Sequence, residues 1–551
     1  MANFDSDGNY IKTNWGTGDT ITSPKLNKIE ESINTINDNE ILNRFSINVK
    51  KLGAKGDGIT DDSEALQAAL DLARIGKNTI VYIPKGVYLI SKVLTVFSNT
   101  HMLLDEESII RRMQTSPDGT KLLANGLKGG SEQYSNIIIE GGVWDMDDGN
   151  TTYNGGAHFT IGNCKNITVK NVRFLNNHGS HCLDLAGVEN ILIENCSFEG
   201  MRLNPNGERD YVEAIQISEF TANGQPFFGG VFNDKPCKNV TIKGCIFTNS
   251  ENPNYSYWPT GIGHHSSGSL PDVNENIIIR DCKFYGCTMM GIRPCGYKNT
   301  LIDACYFERC VRGVHITNIG KGESSHYDGI KASVNTSINN CIFVDTSDVS
   351  IWCFGKLAAE DVETNKQEGY ANNVKIHNCT FRNETPEGSN GAISIGFTKN
   401  CIIDSCCFDN VYRAIYYCAC DDLIVVNNIC NSTARECIFS WYREVVDDDS
   451  IHIYSNNVNV MNNILGGCQY NGMFIQCTES FIVSNNIVKN CSLFEATRGG
   501  IRVANYCKNG CITGNISNGS NHAYDISITS TCSQIISSNN VCDILQDNQP
   551  S

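Results

Sequence analysis

The stretch Asn276-Ile-Ile-Ile-Arg-Asp-Cys-Lys-Phe284 is the unit the chain repeats: Asn, an aliphatic residue three positions on, Cys six on and Phe eight on. The pattern returns at Asn136, Asn166, Asn190, Asn239, Asn299, Asn335, Asn373 and Asn400. It recurs more loosely at Asp422, Asn457, Ser480, Asn509 and Ser533. A motif recurring every roughly 22 to 50 residues denotes stacked coils, none of which can bury its inner face alone.

Within each unit the apolar residues alternate in short runs of period two, which makes them strands rather than helices. Coils of such strands, stacked at ~4.8 Å, share one core and bond each backbone to the next. The expected fold is all-β, a right-handed parallel β-helix (solenoid) of at least 14 coils, roughly 65 to 80 Å long. The sixth position reads Cys at 196, 245, 282, 305, 341, 379 and 406, then Asn at 428, 463, 486, 515 and 539. Like on like predicts inward ladders, thiols packing as small apolar groups and amides bonding coil to coil.

The repeat runs to the C-terminus of the 551 residues, so residues 46-551 read as one elongated domain. A net charge of -17 speaks against nucleic acid and anionic membranes as partners, and an acidic ligand would need a local cationic site. The 27 Cys fall mostly on one stacked face, which predicts reduced core thiols rather than disulfides or zinc sites. The opening residues lack a basic, apolar signal peptide, and no window approaches a membrane span, so a soluble chain without a classical secretion signal is expected.

Residues 1-45 differ from the rest. Ser23-Pro24 can start a helix, and Leu26, Ile29, Ile33 and Ile36 follow at the spacing of a coiled-coil seam. Ile at both core positions favours trimers, so this segment is read as a short α-helical attachment and trimerisation element. Its alternative is a helix lying on its own β-helix.

Leu52-Gly-Ala-Lys-Gly-Asp-Gly-Ile-Thr-Asp-Asp-Ser-Glu-Ala-Leu-Gln-Ala-Ala-Leu70, with Ile80-Val-Tyr-Ile-Pro-Lys-Gly-Val-Tyr88, resembles the start of pectate-lyase-superfamily β-helices, including phage tailspike depolymerases. Asp61 or Asp62 caps a helix near 61-74 whose Leu66, Ala69, Leu70 and Ala73 form an apolar stripe, suited to plug the open end of the stack. The resemblance implies a homotrimer, an N-terminal segment attached to a virion tail, and a glycan ligand. An extracellular or bacterial-surface location is the alternative.

The strand after each Phe shows which residues face outward, because alternate apolar residues must point in. That parity puts Asp184, His265, Arg293, His315, Trp352 and Tyr416 on one surface of successive coils. A file of carboxylate, imidazole, guanidinium and aromatic groups suits a glycan, whose rings stack on aromatic faces and whose oxygens bond to Arg and Asp. Two insertions, Arg202 to Asp234 and Asn252 to Trp258, leave the coils beside it and are expected to wall a groove with Tyr255, Tyr257 and Trp258, the last two among the binding residues. His181, just ahead of Asp184, joins His315, Trp352 and Tyr416 as a substrate-binding candidate.

Glycoside hydrolysis needs two carboxyl groups at a set spacing, which residues on neighbouring coils supply. Asp184 is the first candidate and Glu213 on the next coil the second, although strict parity from Ile215 turns Glu213 inward; Asp210 is the fallback. The order Asp184, Glu213, Gly263-His264-His265 and Ile292-Arg293 also resembles polygalacturonase-type hydrolases, but without their Asn-Thr-Asp, paired Asp, Gly-His-Gly and Arg-Ile-Lys. That similarity implies Asp184 and Glu213 as acid and base, His265 as a tuning group and Arg293 as a sugar ligand.

The expected function is binding and hydrolysis of a bacterial surface or cell-wall glycan, with no cofactor. One alternative is a polysaccharide lyase that eliminates beside a uronate, with Arg293 or His315 as base and Ca2+ on the carboxylate. Another is a non-catalytic receptor-binding fibre.

Overall fold

The computed structural model describes residues 46–75, 79–117, 120–126, 133–147, 149, 155–202, 212–222, 224–228, 232–264, 271–320, 329–356, 369–386, 391–445, 448–494 and 497–550. The helical seam of residues 1-45 lies outside them, as do His265 and Asp210.

The coils form a right-handed parallel β-helix. One sheet of 16 strands and one of 31 strands run its length, every pairing within them parallel. A single coil reads Lys238–Lys243, Ile246–Thr248, Thr260–Gly263, each bonded to its counterpart one coil on. The 16 rungs give a length of about 75 Å at the parallel-strand spacing, in line with the sequence expectation.

Each leading Asn has a specific conformational job. Asn136, Asn166, Asn190, Asn239, Asn276, Asn299, Asn335, Asn373 and Asn400 all have φ between 55 and 60°. That left-handed region is one Asn tolerates better than other side-chain-bearing residues. Their amides also stack: Asn276 Nδ2 donates to Asn239 Oδ1 at 2.9 Å, and Asn299 Nδ2 to Asn276 Oδ1 at 3.0 Å. The repeat thus begins where the chain turns a corner.

Inside, the two predicted ladders are present. Cys245, Cys282, Cys305 and Cys341 are buried free thiols, and each Sγ faces a carbonyl of the preceding coil, as in Cys305 to Ile279 O at 3.7 Å. Burial holds the Cys305 thiol well above its usual pKa. Below them Asn428, Asn463, Asn486 and Asn515 pass amide bonds along the axis, Asn463 Nδ2 donating to Asn486 Oδ1 at 2.9 Å. The last member is Asn540, not Asn539: Asn515 Nδ2 donates to Asn540 Oδ1, while Asn539 is the left-handed corner residue. The final repeat starts at Gln534, one residue later than Ser533, because Gln534 takes the corner conformation.

Phe198, Phe247, Phe284, Phe307, Phe343, Phe381 and Phe408 stack with ring centroids 4.6 to 4.9 Å apart and planes within 7°. Burying each ring contributes about 1.5–3 kcal/mol. The helix Ser63–Ile75 sits on the first coils with Leu66, Ala69, Leu70 and Ala73 buried. Asp61 caps it, accepting from Ser63 N at 3.1 Å, while the Asp62 carboxylate holds the Lys55-Gly56 turn. No helix of the described residues is long and apolar enough to cross a membrane.

Candidate functional site

The outward file exists in register. Asp184 pairs with Gln216, Gln216 with Gly263 and Gly263 with Arg293. Farther along, His315 pairs with Trp352, Trp352 with Ser394 and Ser394 with Tyr416. The alternation that places them is anchored by Leu183, Ile215, Ile262, Ile292, Val314, Ile351, Ile393 and Ile415, all buried.

Glu213 corrects the parity argument. Ala214, Gly261, Gly291 and Gly313 line up one residue before the apolar anchors, and this row also faces inward. A Cβ on Gly261, Gly291 or Gly313 would meet the rings of Phe284, Phe307 or Phe343. Two consecutive inward residues bend the strand, and only small side chains fit beside the ring stack. The residue before them therefore turns out again, so Glu213 reaches the outer face. Its side chain lies over Gly263, where a Cβ would sit 3.4 Å from Glu213 Cγ and 3.0 Å from Arg293 Cβ. A side chain at Gly263 would crowd both groups.

Glu213 is fully buried there, and its Oε2 lies 3.3 Å from Nδ1 of His181. His181, in the loop leading into Leu183–Ala186, is itself only 12% exposed. The structure thus brings Glu213, His181 and Arg293 together around Gly263.

Asp184 is also covered, at 9% exposure, because the described part of the first insertion does not stand beside the groove as a wall. It folds across the file: Gln225 Nε2 donates to Asp184 Oδ1 at 2.6 Å. Phe220 and Phe228 pack together and reach within 2.6 Å of where a Gly162 Cβ would be. The base of this cover is pinned by a buried ion group, with Glu219 between His264 Nε2 and Lys331 Nζ, each 3.2 Å away.

The second insertion corrects another expectation. Trp258 is 1% exposed and donates Nε1–H to Phe198 O at 3.1 Å, so it is core rather than a sugar platform. Tyr257 lies against Gly286 in the loops that enter the file strands, off the file itself. Tyr255, expected in the groove wall, is buried instead: its hydroxyl is 2.7 Å from His178 Nε2 and 3.3 Å from Asp147 Oδ1, under the Arg202 guanidinium. This buried network fastens the insertion to the coils.

His315 is half-buried and Trp352 partly open. Burial, then the nearby Arg312, Arg293 and Lys356, push the His315 pKa down to about 3, leaving it neutral. The Arg312 guanidinium lies 4.7 Å over the Trp352 ring and bonds Asp348. Among the described residues no group of three or more His, Cys, Asp or Glu is placed to hold a metal ion.

The profile of the rhamnogalacturonase A/epimerase, pectate lyase-like family matches residues 46–341. The chain belongs to this family. Among relatives of this pectate lyase-like chain, plasmin and fibronectin-binding protein A of Streptococcus pneumoniae is 28% identical over 500 residues, covering 86% of this chain and 61% of the relative. The preneck appendage protein of Bacillus phage PZA is 27% identical over 183 residues, 29% of this chain and 21% of the relative. The chain therefore spans less than two thirds of the length of either relative.

Two solved structures share the fold. The pre-mature gene product 12 of bacteriophage phi29 superposes with a TM-score of 0.59 at 16% identity, covering 93% of this chain and 69% of the other. The S. pneumoniae surface protein and adhesin PfbA gives 0.54 at 22% identity, covering 76% and 96%.

Proposed function

We propose that this pectate lyase-like chain is a glycoside hydrolase that binds and cleaves a bacterial surface or cell-wall polysaccharide. The observation that carries this reading is Glu213: a carboxylate with no exposed surface, on the outer face, beside Arg293 and 3.3 Å from His181. A buried carboxylate with a titratable partner on an outer strand face is a candidate functional group. Asp184 supplies the second carboxyl group one coil away. In this reading Asp184 and Glu213 divide the acid and base roles, His181 orients Glu213, and Arg293 binds a sugar oxygen. His315, Trp352 and Tyr416 extend the binding surface.

The cover held by Gln225 has to move for sugar to reach Asp184, which makes Gln225 and the Phe220–Phe228 pair the gate of this site. A phage preneck appendage relative and a fibronectin-binding relative support a place on a virion tail or a cell surface; a homotrimer is the assembly proposed with it. Incubation with host capsule and wall polysaccharides followed by mass analysis tests the chemistry. Saturated fragments with new reducing ends support hydrolysis; unsaturated ends support elimination.

A non-catalytic glycan-binding fibre is the second reading. It is favoured by the coverage of Asp184 and Glu213 and by the fibronectin-binding name of one relative. Binding without any product identifies it.

A further inference from the structure

The outward file does not end at Tyr416. Tyr416 pairs with Phe439, Phe439 with Phe474 and Phe474 with Arg502, on four successive coils. Each of these aromatic side chains is partly open to solvent. Tyr416 and Phe439 stack with centroids 5.8 Å apart and planes at 19°, and Phe439 stacks on Trp441 at 6.3 Å and 6°.

Guanidinium groups are threaded between the rings. Arg413 lies 4.3 Å from the Phe439 centroid and Arg502 4.9 Å from that of Phe474. On the adjoining loops Arg435 lies 4.1 Å from Tyr470, and Tyr470 stacks on Phe494, which is 69% exposed. Glu436 balances Arg413, at 2.8 Å. The Nε–H of Arg502 has no hydrogen-bond acceptor among the described residues.

We infer that this terrace is a second polysaccharide-binding platform, continuous with the file through Tyr416 but centred on coils beyond the Asp184 and Glu213 site. The inference rests on the reading that the chain binds glycans. Flat aromatic faces receive the C–H faces of sugar rings, and forked N–H donors receive their hydroxyl or carboxylate oxygens. The coil repeat of ~4.8 Å is close to the length of one hexose unit, so successive rings fall in step with successive sugars.

A second outward row supports the assignment by contrast. Ile138, Thr168, Leu192, Thr241 and Ile278, with His101, Lys243 and Arg280, line a groove of about 920 Å3 that holds no Phe, Tyr or Trp. That row offers cations but no large ring to stack on, whereas the terrace offers both.

Arg293 lies four coils from Tyr416 in the register, or ~19 Å. A chain bound on the terrace therefore reaches the carboxylates only if it is a long one. The platform holds polymer near the site and disfavours short fragments.

The test is an array of acidic and neutral bacterial and plant polysaccharides, with immobilised fibronectin included, probed with the full chain. The variants are Phe439→Ala/Phe474→Ala, the exposed Phe494→Ala, Arg502→Gln and Glu213→Gln, with melting temperature confirming the fold. Expected is a loss of about tenfold in affinity for long polymer in the double variant, with smaller losses in Phe494→Ala and Arg502→Gln. Glu213→Gln should retain binding, whether or not the parent cleaves, which separates this inference from the hydrolase reading. Retention of no polysaccharide by the parent overturns it. So does unchanged glycan affinity in folded terrace variants, or a loss confined to fibronectin capture.

Discussion

Nδ1 of His181 sits 3.3 Å from Oε2 of Glu213, a carboxylate that no solvent reaches. The two belong to consecutive coils, and the pair exists because the strand bends at Ala214 and sends Glu213 outward. His181→Ala removes the imidazole that lies 3.3 Å from the Glu213 carboxylate. It should lower kcat by roughly 10²-fold while changing KM little, if the imidazole orients the carboxylate. A rise in KM alone would make His181 a sugar ligand instead.

Asp184→Asn keeps an oxygen for the Gln225 amide, so the cover should stay closed and the melting temperature should move by no more than a few degrees. Turnover should fall by at least about 10²-fold. Gln225→Ala should do the reverse, leaving the carboxylates in place but speeding proteolysis within residues 219–235. Equal protease resistance in Gln225→Ala and the parent would show that the cover is held by its Phe cluster alone.

Acid should destabilise the fold through His315. Its pKa is lowered from 6.5 to about 3, so between those values the unfolded chain binds a proton that the folded chain does not. Stability therefore rises with pH across that window and falls as pH drops through it. His315→Gln should flatten that part of the stability profile in denaturant titrations. A profile as steep as the parent's would place the acid sensitivity elsewhere.

Asn463→Leu should cost about 1–3 kcal/mol, because it takes the acceptor from the buried Asn428 backbone N–H and the donor from the Val425 carbonyl. Urea unfolding reads this directly. A loss under about 1 kcal/mol would mean the amide ladder relaxes around the gap.

The architecture was legible because the repeat carries its own physics. Alternation gave the strands, like-on-like Cys and Asn gave the ladders, and the same alternation put Asp184, Arg293, His315, Trp352 and Tyr416 on one face. Carried three coils farther it would also have found Phe439, Phe474 and Arg502. The failures have a common cause. Parity assumes an unbent strand, and Glu213 lies just before a bend made by small residues packed on the Phe stack. Trp258 and the Gln225 cover lie in insertions, where no repeat dictates direction. Nothing in the spacing shows that one insertion folds into the core and the other over the file.

The central claim is best tested by mass analysis of a polysaccharide the chain retains, incubated with the parent and with Glu213→Gln. The account predicts saturated fragments carrying one added water from the parent, and at least about a 10²-fold lower yield from the variant at unchanged binding. Equal cleavage by both proteins, or unsaturated ends from the parent, would contradict it.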